Sequence, residues 1–391
     1  MTSSAWWLRT AWLVALAGTL AYESPAEEKA AANQLAALLK EHEEAEAALR
    51  KAAKSLEESK DGGQKLDELF AEFYKAQSER FARAVEIAKA HPGTDTAVQA
   101  LEWVLTTPAS YHQPAGLDAM DEVAKHHSAS PKVGKLVAWV GYLAPPEQVH
   151  PRESEKAWAM IDAVARNNPD KTVRAQAYLM KAYKAKKLFD TAEYRNDGNA
   201  NELALAAEKE YEAVIHEYGD CPWLMSRKGL TVRRFAEREL YELRHLRIGK
   251  VAPEIEAEGV DGKKFKLSDH RGKVVALIFW ASWCGPCMAE VPHEREMTER
   301  FRGRPFTIVG VNGDGDREKA AEVMKRERMT WPSFWNGSEG PSGPISTAWN
   351  IRGWPTVYVL DPKGVIRFKH LRGKELEEKV GELLAEAEAD K

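Results

Sequence analysis

Three runs in the last third of the chain, Lys273–Trp280, Phe306–Val311 and Thr356–Leu360, are apolar almost without interruption. A strand with one wet face alternates, so runs like these predict strands covered on both faces. Amphipathic segments from about Pro286 to Phe301 and from about Arg317 to Arg328 lie between them. Strands alternating with helices imply a mainly parallel sheet with crossover helices. Val365–Lys369, after the turn Asp361-Pro362-Lys363-Gly364, adds an antiparallel hairpin, and a helix from about Gly373 closes an α/β domain over 246–391.

None of this pattern precedes residue 245. From Ala26 to His245 the chain is rich in the strong helix formers Ala, Leu, Glu and Lys. Leu35, Leu38, Leu39, Ala45, Leu49, Ala53 and Leu56 make an apolar stripe, Asp61-Gly62-Gly63 interrupts it, and Leu66, Leu69, Phe70, Phe73, Phe81 and Val85 make a second. The pair reads as an antiparallel hairpin. Proline turns then recur at His91-Pro92-Gly93, Ser130-Pro131, Asn168-Pro169-Asp170 and Tyr218–Pro222, mostly about 37 residues apart. Two readings of this all-α region, 23–245, stand side by side: a helical-repeat-like array with a docking surface, or a bundle that only packs. Ahead of it, Arg9 and the apolar run Ala11–Ala21 have the layout of a signal peptide over 1–22, or of an uncleaved anchor if Trp6 and Trp7 extend the run.

The chain carries 56 Lys+Arg against 60 Asp+Glu, a balance that predicts no nucleic acid partner. It has only three cysteines, too few for a disulfide scaffold or a four-thiolate metal site. Two of them form Cys284-Gly285-Pro286-Cys287, directly after the first apolar strand. Cys284 is thereby expected at a helix N-terminus, where unpaired N–H groups stabilise a thiolate. Cys287, one turn on, is placed to attack a mixed disulfide formed on Cys284. No downstream ligand pair completes a metal site, and so short a loop gains little as a structural staple. Cys221 is expected in a turn at the start of a helix, as a reactive thiol or, better, a buried inert one. The histidines His126, His127 and His150 lack metal-ligand spacing and are expected in surface or capping roles. Asn312–Asp316 reads as a helix-capping loop rather than a calcium loop.

These residues resemble the thioredoxin superfamily, and in particular its exported TlpA/ResA-like thiol-disulfide oxidoreductases, over about Ile248 to Leu384. Ile351–Thr356 resembles the family's cis-proline loop, which implies a cis bond at Pro355, a place beside Cys284, and docking of a substrate strand along Trp354. Gly249–Pro253 and Asp261–Lys273 resemble the extension that marks TlpA-like domains, and Pro292 matches the family's helix kink. Ile278 stands where plain thioredoxin has a buried Asp. Glu290, three residues after Cys287, matches a glutamate common in TlpA-like members, and the resemblance implies proton exchange with Cys287 and a raised pKa if it is buried. Trp283, Trp331, Trp335 and Trp354 are expected to rim the site, with Trp283 and Trp354 contacting substrate.

The expected activity is reduction of protein disulfides outside the cytoplasm, in the periplasm or on the outer face of the membrane, with no cofactor or metal. The resemblance implies recharging by a membrane electron donor of the DsbD/CcdA kind. The alternatives are a protein-binding or assembly factor built on the helical region, and a peroxiredoxin-like peroxidase. The peroxidase would want Thr or Ser where Ala281 stands.

Overall fold

The computed structural model describes residues 24–57, 62–107, 110–226 and 229–389, so the expected leader lies outside it. No helix among the described residues is long and apolar enough to cross a membrane. An all-α region comes first: α1 (Pro25–Glu57), α2 (Gly62–Ala90), α3 (Asp95–Thr106), α4 (Pro114–Glu122), α5 (Gly134–Leu143), α6 (Pro151–Asn167), α7 (Lys171–Arg195), α8 (Ala200–Tyr218) and α9 (Val232–His245). Proline opens α4 and α6, where its missing N–H costs nothing. Asn168 in one proline turn donates to the carbonyls of Ser128 and Ser130 in another, both at 2.8 Å, which ties two of the recurrent turns together.

Two side chains depart from expectation. His127 is not a surface residue: α4 runs on into a π-helical turn, Val123–His127, that turns the ring inward, and burial pushes its pKa down to about 4. Cys221 does not start a helix. Pro222 bridges Thr231 in an antiparallel pair and α9 begins only at Val232. Burial pushes the Cys221 thiol up, which disfavours a reactive thiolate.

The chain forms two compact units. One holds the described residues up to Tyr183 together with Asp220–Val232; the other holds Lys184–Gly219 and Arg233–Lys391. The strands begin where the composition shifts, but the unit that contains them also takes in the end of α7, all of α8 and nearly all of α9.

A small antiparallel ribbon, β1 (Glu256–Glu258) with β2 (Lys264–Lys266), precedes the main sheet. The sheet comprises β3 (Val274–Trp280), β4 (Phe306–Asn312), β5 (Ser333–Trp335), β6 (Thr356–Leu360) and β7 (Ile366–Lys369), in the order β5-β4-β3-β6-β7. The remaining helices are α10 (Gly285–Arg300), α11 (Arg317–Arg326), α12 (Pro344–Ala348) and α13 (Gly373–Ala389). The pairs β3/β4 and β4/β5 are parallel, whereas β6 runs antiparallel to both β3 and β7. The sheet is therefore mixed rather than mainly parallel. The unread strand β5 takes the parallel place beside β4, and the connection after it reverses direction before β6.

All seven residues of β3 are buried, and the pleat deals them to two cores. Val274, Ala276, Ile278 and Trp280 join residues of α10 and α13 on one face. Val275, Leu277 and Phe279 join Leu246, Ala252, Phe334 and Trp349 on the other. The Trp280 indole donates to Ser333 Oγ at 3.0 Å across Gly310, where a Cβ would stand 2.4 Å from that oxygen and 2.8 Å from the indole nitrogen. Gly310→Ala should therefore lower the unfolding free energy by ~1–3 kcal/mol, read by urea denaturation; an unchanged midpoint would show that the sheet has room the structure does not.

Candidate active site

Register brings three segments to one end of the sheet. Trp280, the last residue of β3, pairs with Asn312, the last of β4, while Phe279 pairs with Thr356, the first of β6. The Cys284–Cys287 turn leaves β3, the Gly313–Asp314 turn leaves β4, and Trp354-Pro355 enters β6 at that same end. The Trp354-Pro355 bond is cis.

Cys284 and Cys287 form a disulfide with an S–S distance of 2.04 Å. Cys284 is the N-cap of α10, and its Sγ accepts the Cys287 N–H at 3.2 Å. Both sulfur residues are nearly buried, at 5% and 3% exposure, but Gly285, Pro286 and Trp283 between and beside them are exposed. Trp283 is 52% exposed and meets Trp354 edge to face, with ring centroids 5.9 Å apart. Trp354 is wedged over Gly313, where a Cβ would lie 2.5 Å from its ring. Trp331 is buried in the core, and the Trp335 indole donates to the carbonyl of Asp314 at 2.9 Å.

Asp314 is a residue that the capping-loop reading passed over. It is buried, and its carboxylate accepts from Ser282 N at 3.0 Å, Ser282 Oγ at 2.8 Å and Asn312 Nδ2 at 2.7 Å. Three donors satisfy the buried charge, and two of them fix the turn just ahead of Cys284. Asp316 does cap α11, accepting from Glu318 N and Lys319 N.

Glu290 is half-buried and its Oε2 accepts from Gly373 N at 3.1 Å. The strongly shifted carboxyl is Glu294, one turn further on. Burial, helped by the charge of Glu290, pushes Glu294 up to about 8, so it carries a proton at neutral pH. The signal for this was in the sequence: Cys287, Val291, Glu294 and Met297 follow one another at steps of four, three and three, and all are buried on one face of α10. As for metal ligands, His112, His150 and Glu153 in the helical region bring their ligand atoms within 4.8 Å of one another, across a gap in sequence that spacing could not bridge.

The Glu294 shift fixes a sign. Its folded pKa of about 8 exceeds its ordinary 4.5, so between those values the folded chain holds a proton that the unfolded chain has lost. Stability from this group is full below the lower value and falls as pH rises towards the upper one. Glu294→Gln should gain stability over the parent between pH 5 and pH 8, by at most about 1.4 kcal/mol per pH unit. Parallel denaturation curves at the two pH values would deny the shift.

The AhpC/TSA family model matches residues 248–369. The thioredoxin-like protein YneN of Bacillus subtilis is 32% identical over 135 residues, 34% of this chain and 78% of YneN. The thiol-disulfide oxidoreductase ResA of Oceanobacillus iheyensis is 32% identical over 124 residues, 31% of this chain and 62% of that protein. ResA of Bacillus thuringiensis is 27% identical over 139 residues, 36% of this chain and 78% of that protein. Each likeness leaves about two thirds of this chain unmatched. On the part that is matched, the chain belongs to the thioredoxin superfamily, with the TlpA/ResA-like thiol-disulfide oxidoreductases.

Proposed function

We propose that this chain reduces protein disulfides outside the cytoplasm, in the periplasm or on the outer face of the membrane. The observation that carries the reading is the position of Cys284, capping α10 with its sulfur turned towards the Cys287 N–H. Reduced, that sulfur would be a thiolate stabilised by the helix N-terminus.

The Cys284 thiolate attacks one sulfur of a substrate disulfide, forming a mixed disulfide and releasing the other substrate sulfur as a thiolate. Cys287 loses its proton to the Glu290 carboxylate and attacks Cys284 Sγ, which breaks the mixed disulfide and frees the second substrate thiolate. The two substrate thiolates take up protons, the substrate has gained two electrons, and the chain is left with the Cys284–Cys287 disulfide. A membrane electron donor of the DsbD/CcdA kind would return two electrons to it. The substrate strand docks along Trp354 and Pro355, with Trp283 as an exposed apolar contact. The helical region, 23–245, would serve to dock a protein partner, and 246–391 would carry the redox chemistry.

Insulin reduction by the full chain tests this reading. Cys284→Ser should abolish turnover, and Cys287→Ser should trap the mixed disulfide, visible as a covalent adduct. Glu290→Gln should slow the reaction by about 10²-fold or more and move its pH–rate profile. A parent protein that leaves insulin oxidised, with a Cys284→Ser variant that behaves just like it, would favour an assembly factor instead. Rapid peroxide consumption would favour the peroxidase.

A further inference from the structure

The loop from Asn350 to Thr356, which carries the cis-proline, lines a cavity of about 380 Å³ together with Lys186, Asp190, Glu242, Tyr358 and His370. A segment that lines a cavity lacks continuous packing behind it, so discrete contacts must set its position. At the downstream end these are the Trp354 ring over Gly313 and an Arg372 hydrogen bond to the carbonyl of Pro355 at 3.3 Å. At the upstream end they come from α9.

Phe235, Glu239 and Glu242 of α9 are spaced by four and three residues and share one helix face. Glu242 Oε2 accepts from Asn350 Nδ2 at 2.9 Å. Glu239, fully buried, pairs with Arg352, whose guanidinium also lies 5.8 Å from the Phe235 ring centre. Beside these carboxylates sits the buried ammonium of Lys186 from α7, 3.1 Å from Glu242, 2.8 Å from Asp190 and 3.9 Å from Glu239. Burial alone would push the Glu242 carboxyl up, but the charges of Lys186 and Lys369 outweigh it and hold the pKa below its ordinary value. Charges this deeply buried are costly unless each is paired, so the helices and the loop are bound to a single geometry. Asn350 itself is left-handed, with φ of 49°, a conformation asparagine tolerates better than most residues.

We infer that Glu239, Glu242 and Lys186 are positioning residues, a clamp by which the helical part of the chain holds the cis-proline loop in register with the Cys284–Cys287 disulfide. The inference rests on the proposed reductase reading, in which that loop receives the substrate strand. The clamp acts on substrate docking and leaves the sulfur chemistry on α10 untouched.

The full chain tests it with Asn350→Gly, which keeps the left-handed backbone and removes the amide, and with Arg352→Ala and Arg352→Lys. Losing the hydrogen bond to Glu242 or the ion pair to Glu239 should raise KM for insulin by about tenfold in the first two. Turnover and the midpoint potential of the cysteine pair should hold, and Arg352→Lys should recover most of the affinity. A merely structural role would lower the active fraction, and so the apparent kcat, without moving KM; that result, or an unmoved KM in a folded Asn350→Gly protein, overturns the clamp. Hydrogen exchange over residues 350–356 decides independently of activity. About tenfold faster exchange in Asn350→Gly supports the clamp, and unchanged exchange overturns it. If the parent protein reduces no insulin, the reductase reading fails and the exchange measurement still rules on the clamp.

Discussion

The central constraint is the double burial of β3. A strand covered on both faces and paired on both edges has no freedom to slide, because a one-residue slip would exchange its two cores. Its neighbours inherit that fixity. Trp280 opposite Asn312 and Phe279 opposite Thr356 bring the ends of β3 and β4 and the start of β6 to one place, and the disulfide, Asp314 and the cis-proline follow within a few residues. Precision at the site is thus set by ladder register in the core, and the loops only extend it.

Above that frame, polar contacts do what packing does below. The Asp314 carboxylate gathers Ser282 twice and Asn312 once, so the turn into Cys284 is held by charge-assisted bonds in a buried setting. Glu294 is the opposite case, a carboxyl buried with another carboxylate nearby, and it answers by keeping its proton. Both lie within two helical turns or one strand end of the cysteines, yet one is met by three hydrogen-bond donors and the other by a second carboxylate.

What could be read from the sequence was local. The apolar runs marked β3, β4 and β6 almost to the residue, and Cys284 was rightly expected to cap the helix that follows. The three-residue strand β5 was too short to stand out from a loop, and without it the direction of β6 was misjudged. Spacing along α10 would have exposed Glu294 as a buried position, had its phase been followed from Cys287. The ties of the cluster around Lys186 were out of reach, since Lys186 meets Glu242 across 56 residues and Asn350 meets Glu242 across 108. No periodicity encodes a contact between a helix and a loop of a different region.

The division of the chain into units bears on how it can be made. The first unit needs Asp220–Val232, which leaves the ribosome after Lys184–Gly219, a stretch belonging to the second. Domains emerging in sequence commonly fold one after another as they are synthesised. Here the first unit must wait while part of the other is already out, and the second remains open until its sheet is made. The chain therefore threads its helices through a period of incomplete burial, in which Cys284 and Cys287 emerge well before Pro355, the last residue of the proposed site.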